Sequence, residues 1–464
     1  MIEAKNVKYT RVKEPFWGLP QEQPVISDET FQLRQAKVLE RMKERNLDYL
    51  LVYADREHYG NFDYLLGFEP RFEEALLVMD QSGKCTILFG NECNGMEKYA
   101  RLPAEGVLYH AFSLPNQPMV GSRSIDDILK QLGLAHHHHV GLVGWKLFYP
   151  IFGEKDMFDI PAFIVEGIKQ VVDPVNLINA TDIMIHPEYG TRIINTAEDI
   201  AYYEFGATYA SDAVQQILLN TRTGLTEVEL SQFGTVGSLP TNIFPKVLSG
   251  SRIEVNMLSP TTKELELGDR YQVSMGLKGG QTNRRGFAAY SAEDLPEGAK
   301  DWLENYAKPY FAISANWFEQ LKLDKTGGDI YRMVEENYPK DKFNWFLNPG
   351  HLISTEEWMS SPIYPGSEIT LKSGMVFQMD IIPFVAPPHV APDLEDGVAL
   401  ADQALRAELE LQFPDVYQRI QNRRTFMIEV LGIDLPPEVL PLSNLTGLYR
   451  PYMLNRDKAF VIEK

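Results

Sequence analysis

The sequence predicts an α/β N-terminal domain followed by an α+β C-terminal domain. Three observations carry this reading. Up to Ala180, stretches of helical period alternate with short, wholly apolar runs; Ala197 to Leu219 then forms one long amphipathic stretch; and from Phe244 onward short apolar runs are spaced by Gly, Pro and Asp turns. A chain of 464 residues exceeds what one core usually supports, so the division is drawn at 1–185 and 186–464.

The elements follow in order. Phe31 to Arg45 places Leu33, Ala36, Val38, Leu39 and Met42 at near-helical spacing, with Asn46 as its stop. Asp48 to Tyr53 reads as a buried strand. A further strand, Glu74 to Met79, turns through Asp80-Gln81-Ser82-Gly83-Lys84 into Cys85 to Phe89. A helical stretch near Ile125 to Leu132 precedes the strand Val140 to Gly144. Thr196 is positioned to cap the long helix, with Glu198 and Asp199 favourable at its positive end. Lys278 with Gly276, Gly279 and Gly280 misses the spacing of a phosphate loop and reads as a hairpin turn. A helical segment is expected near Gln403 to Gln421. The proline- and aromatic-rich C-terminal end reads as an ordered cap or an interface.

Bulk properties exclude several classes. The chain is 44% hydrophobic and 23% charged, as expected of a soluble globular protein. Its formal charge of -20 opposes a nucleic-acid partner, because such a surface repels phosphates. No apolar run approaches a membrane span, the N-terminus lacks the apolar core of a signal peptide, and two cysteines, Cys85 and Cys93, make no disulfide framework. A cytoplasmic protein is expected. His136 to His139 form a tract that could bind metal, but with no acidic or thiolate co-ligand beside it in the sequence it reads as a solvated loop.

The chemistry-bearing residues lie in the C-terminal half. His351 follows Asn348-Pro349-Gly350, Asp380 ends the apolar run Met375-Val376-Phe377-Gln378-Met379, and Glu395 opens Glu395-Asp396-Gly397-Val398-Ala399-Leu400. A histidine and two acids so placed are what a hard or borderline cation requires.

With Arg34 to Val52, Tyr64-Leu65-Leu66-Gly67-Phe68, Val140 to Trp145, Arg192 to Ile200 and Gly224 to Leu230 in fixed order, these motifs resemble the creatinase/aminopeptidase superfamily. Its members share the pita-bread fold and include Xaa-Pro peptidases, methionine aminopeptidases and creatinase. The resemblance covers nearly the whole chain. It implies a creatinase-type N-terminal domain, a pita-bread C-terminal domain, a homodimer, and two divalent metals held by two aspartates, a histidine and two glutamates.

His351 stands at the histidine position, Asp380 at the first glutamate and Glu395 at the second, for which Glu429 is a rival. The aspartate positions are not matched: Ser274 replaces the first, and Asn283 or Arg285 the second. Serine is a poor neutral ligand and a guanidinium cannot ligate. Two substrate-side histidines are also replaced, one by Asn256 or Met257 after Phe244-Pro245-Lys246-Val247-Leu248-Ser249-Gly250, the other by Trp358. No cofactor is therefore expected. The alternative is a single weakly held divalent metal on His351, Asp380 and Glu395.

The resulting expectation is a C–N bond hydrolase acting on a small amino-acid derivative or peptide-like ligand without the dinuclear centre. In it His351 shuttles a proton, Asp380 and Glu395 orient ligand or water, and Arg284 or Arg285 either pairs these acids in place of the metals or grips a ligand carboxylate. Trp358 and Met257 narrow and dry the pocket. Arg71 either reaches a partner subunit's pocket or makes a surface ion pair. The alternative function is a non-catalytic pita-bread protein, a pseudoenzyme, that binds a ligand or serves assembly.

Overall fold

Strand β1 (Val7–Arg11) pairs antiparallel, Val7 opposite Ile462, with the last strand of the chain, Lys458–Ile462. This pairing joins the first residues to the C-terminal half. The computed structural model describes residues 1–148 and 157–463. It divides into two units, Ile26–Ile193 and Met1–Val25 together with the chain from Ile194 onward. Residues 1–25 thus lie outside the N-terminal unit to which a division at 185 assigned them.

In the unit Ile26–Ile193, helix Asp28–Glu44 is capped by the Ser27 side chain and ends before Asn46, which takes the left-handed conformation. Tyr64 to Leu66 close a second helix, Gly60–Leu66, which Gly67 terminates at φ +76°. Six strands follow: β2 (Tyr49–Ala54), β3 (Ala75–Asp80), β4 (Cys85–Phe89), β5 (Ala104–Leu108), β6 (Val140–Val143) and β7 (Leu177–Asn179). They form one mixed sheet in the order β5-β4-β3-β2-β6-β7, in which β2 lies antiparallel to β3 and parallel to β6. Leu51, Leu76, Leu88 and Leu142 pack with Ile128, Leu129, Ile164 and Ile168. The apolar runs without alternation are strands buried on both faces.

Cys85 and Cys93 are free and buried. The histidine tract is the exposed loop its sequence suggests, although acids do lie near it: His136 and His139 each approach a carboxylate, Asp173 and Asp48, at 3.8 Å. Chain reversal supplies acids that local sequence did not. Arg71 stays local, its Nε donating to the Arg56 carbonyl and its guanidinium lying over the Tyr59 ring.

In the larger unit, helix Ala197–Asn220 starts with a reciprocal cap between Thr196 and Asp199 and buries most of its length. The sheet beside it contains β8 (Thr241–Ser249), β9 (Arg270–Leu277), β10 (Gly280–Phe287), β11 (His351–Leu352), β12 (Val376–Met379) and β13 (Asp393–Leu400), in the order β11-β12-β13-β10-β9-β8, with β14 (Val439–Pro441) on β13. The segment expected near Gln403 to Gln421 is two helices, Gln403–Gln412 and Pro414–Thr425. They break at Phe413 because Pro414 has no N–H to donate. The C-terminal end is an ordered cap, with Ser443 to Tyr449 buried. No helix of the described residues is long and apolar enough to cross a membrane.

Candidate functional site

Strand alternation assembles the site. On a strand, residues two apart share a face, and antiparallel partners project to the same side. Register pairs Lys246 with Ser274, Ser274 with Asn283, and Asn283 with Glu395, so these four form one row across β8, β9, β10 and β13. The neighbouring row runs Gln272, Arg285, Asp393, also in register. On the other side, His351 opposes Gln378, Gln378 opposes Gly397, and Asp380 follows two residues after Gln378. One face of the sheet therefore carries a histidine, four amides or hydroxyls, two cations and three acids, nearly all buried.

Asp380, Asp393 and Glu395 converge: each offers an oxygen within 4.8 Å of the others. Asp393 was absent from the sequence reading. Glu395 accepts from Gln281 Nε2 at 2.5 Å and Asn283 Nδ2 at 3.1 Å, while Asn283 Nδ2 also donates to Asp393 at 2.7 Å. The amide orientations are forced from one end. Arg285 can only donate, so Gln272 turns its oxygen to Arg285 Nε (3.3 Å) and its Nε2 to Asn283 Oδ1 (3.0 Å), leaving the Asn283 amide N–H groups aimed at the acids.

His351 is fully buried. Gly350 before it sits at φ +119°, and a Cβ there would meet the Trp317 ring at 2.9 Å, so glycine fits the turn into β11. His351 Nε2 lies 3.3 Å from Glu357 and 3.6 Å from Asp380. Glu357 is a partner that sequence reasoning missed. The Trp358 indole stacks on the imidazole, with centroids 4.0 Å apart, and is itself 37% exposed.

Burial and charge divide the acids. Burial alone would raise the Glu357 carboxyl, but the facing His351, with Lys246, holds it below the ordinary value. Asp380 is raised well above the usual range by burial and by Glu395, Asp393 and Glu357. Burial and Asp393 push Glu395 up to about 8. Asp393 is raised by burial, and Arg285 and Lys246 offset part of the effect.

Several expectations are corrected here. Arg285, not Arg284, shares the face of the acids, and its ion pair is with Asp393 at 3.1 Å rather than with Asp380 and Glu395. Arg284 points to the opposite face, where it pairs Asp396 at 2.8 Å and donates to the carbonyls of Leu445, Leu448, Asn283 and Glu395. Ser443 and the Gly447 N–H also bind Asp396, so the C-terminal cap locks the back of the site. Met257 is 57% exposed and lines no cavity described here; Asn256 does. Trp358 covers His351 rather than narrowing an open pocket. Glu429 is exposed in the segment Phe426–Val430, far from the register of Glu395.

A cavity of about 340 Å³ opens at the Arg285 end of this face. Arg270, Arg285 and Asn256 supply its polar side, and Phe346, Ile382 and Phe384 its apolar side. Arg270 is paired with Glu254 at 2.5 Å. The Asn256 Oδ1 is buried without a hydrogen-bond partner.

The residues do not fit a dinuclear metal centre. Two carboxylate positions are Ser274 and Asn283, amide N–H groups occupy oxygens of Glu395 and Asp393, and a guanidinium holds Asp393. Among the described residues, Asp380, Asp393 and Glu395 remain as a three-carboxylate set.

No protein-family model and no curated protein matches the sequence. Solved structures do. The Xaa-Pro dipeptidase from Bacillus anthracis superposes with a TM-score of 0.61 at 15% identity, over 81% of this chain and 96% of that one. A prolidase from Pyrococcus furiosus gives 0.58 at 18% identity, over 78% and 96%. An X-Pro aminopeptidase from Thermotoga maritima gives 0.59 at 14%, over 80% and 95%. At such identities the likeness carries the architecture and nothing finer. Built on a mixed α/β framework, this chain shares the pita-bread fold of these solved peptidases.

Proposed function

We propose that the chain is a C–N bond hydrolase acting on a small amino-acid derivative or peptide-like compound, and that it works without a dinuclear metal centre. The observation that supports this most is the continuous polar face from the cavity wall at Arg285, through Asp393, Glu395 and Asp380, to the His351–Glu357 pair. Arg285 takes the ligand's carboxylate, since a planar fork suits bidentate contact, and Phe346, Ile382 and Phe384 pack its apolar part. Water adds its oxygen to the carbonyl carbon and gives its proton to His351, which Glu357 steadies. The C–N bond then breaks, and the leaving nitrogen takes a proton from Asp380, whose carboxyl burial and the neighbouring acids raise well above the usual range. Trp358 must swing aside for each turnover. A cytoplasmic homodimer accompanies this reading, on the resemblance of the sequence motifs.

One observation favours a second reading, a non-catalytic ligand-binding protein: His351 is sealed beneath Trp358. A thermal-shift and mass-spectrometric screen of dipeptides, N-acyl amino acids and guanidino acids, run with chelator present, separates the two. The expected result is stabilisation by carboxylate-bearing ligands and slow hydrolysis insensitive to chelator. Arg285→Lys should weaken binding about 10- to 100-fold by losing the fork. Stabilisation without any turnover favours the second reading, and no stabilisation by any compound contradicts both.

A further inference from the structure

Lys246 is the charged residue of this face that the proposed activity leaves without a task. It is 3% exposed, and among the described residues its side chain forms no ion pair or hydrogen bond. A register shift lies immediately before it on β8, where Pro245 cannot donate to the ladder. That irregularity aims Lys246 into the row Ser274, Asn283, Glu395. Strands lie about 4.8 Å apart, so the Lys246 and Glu395 backbones are separated by about 14 Å, which the two long side chains can largely close between them. The short Ser274 between them leaves room for the lysine stem, and its own hydroxyl has no partner.

We propose that Lys246 is a tethered counter-ion: its ammonium, placed in the row of Ser274, Asn283 and Glu395 but beyond ion-pair distance of the acids, offsets part of the charge of Asp380, Asp393 and Glu395 in place of a bound divalent cation. Its positive charge opposes the rise that burial imposes on all three acids and adds to the lowering of Glu357. Arg285 already engages Asp393, so Lys246 is the cation of this face left to balance Asp380 and Glu395. A divalent ion in the same place would meet a fixed positive charge at close range, which in a partly desolvated site disfavours it by about 100-fold. The lysine thus sets cation specificity.

The inference is read by cation binding without turnover, so its failure and that of the proposed hydrolase are distinguishable. Mn²⁺ alone is titrated calorimetrically into the wild-type chain, Lys246→Met and Lys246→Ala. The expected result is no saturable binding to wild type and one Mn²⁺ bound by each folded variant about 100-fold more tightly, a gain that adding Asp380→Asn abolishes. A folded variant that gains no affinity overturns the proposal. Wild type alone also decides: saturable Mn²⁺ binding that Asp380→Asn removes overturns it even if neither lysine variant folds, and its absence supports it.

Discussion

Arg284→Ala is expected to lower the unfolding free energy by about 3–5 kcal/mol, because it strips the counter-charge from a fully buried carboxylate. Asp396 is fully buried, and its other partners, the Ser443 hydroxyl and the Gly447 N–H, are neutral. The substitution also leaves the Leu445 and Leu448 carbonyls without the guanidinium donors they now accept from. Urea denaturation followed by circular dichroism measures the loss. Removing both charges, with Arg284→Met and Asp396→Asn together, should recover part of it, since the larger penalty is the unpaired charge rather than the absent pair. A loss below about 1 kcal/mol would mean that Arg284 is solvated rather than locked by the cap.

Stability should fall as pH rises through the carboxylate cluster. Asp380, Asp393 and Glu395 all have carboxyls raised in the folded state, and Glu395 titrates at about 8 against 4.5 when unperturbed. The folded chain therefore binds more protons than the unfolded chain between those values. For Glu395 the stabilising contribution is fully present below about 4.5 and is lost as pH climbs through about 8. Melting temperatures measured from pH 5 to 9 should decline toward the alkaline side. Asp380→Asn replaces the most strongly raised acid by a neutral isostere, so it should flatten this decline and raise the melting temperature at pH 9 relative to wild type. A profile that rises with pH, or an Asp380→Asn variant that is no more stable at pH 9, would contradict the raised carboxyls.

Much of this site could be read from single residues, and what could not be read depended on pairing. His351, Asp380 and Glu395 were found because each sits at a recognisable turn or run end. Asp393 is two positions before Glu395, so strand alternation alone puts it on the same face; the signal was present and unused. The same alternation forbids Arg284 and Arg285 from facing the acids together, and only the register with Gln272 and Ser274 says which one does. Lys246 lies inside the Phe244 to Gly250 motif, where the missing histidine is the conspicuous feature, and the bulge at Pro245 that aims it is a property of two strands, not of one. Glu357 reaches His351 through loop geometry that spacing does not encode. The first 25 residues misled for a similar reason: β1 finds its partner some 450 residues later, a contact no local pattern announces.

The proposal as a whole rests on internal cations, Lys246 and Arg285, balancing the acids that a metal would otherwise hold. Its most direct test is anomalous diffraction from crystals of the wild-type chain grown with excess Mn²⁺. The account predicts no anomalous peak among Asp380, Asp393 and Glu395, with the Lys246 side chain kept in the row of Ser274, Asn283 and Glu395. An Mn²⁺ peak coordinated by Asp380, Asp393 and Glu395, with Lys246 displaced from that row, would contradict it.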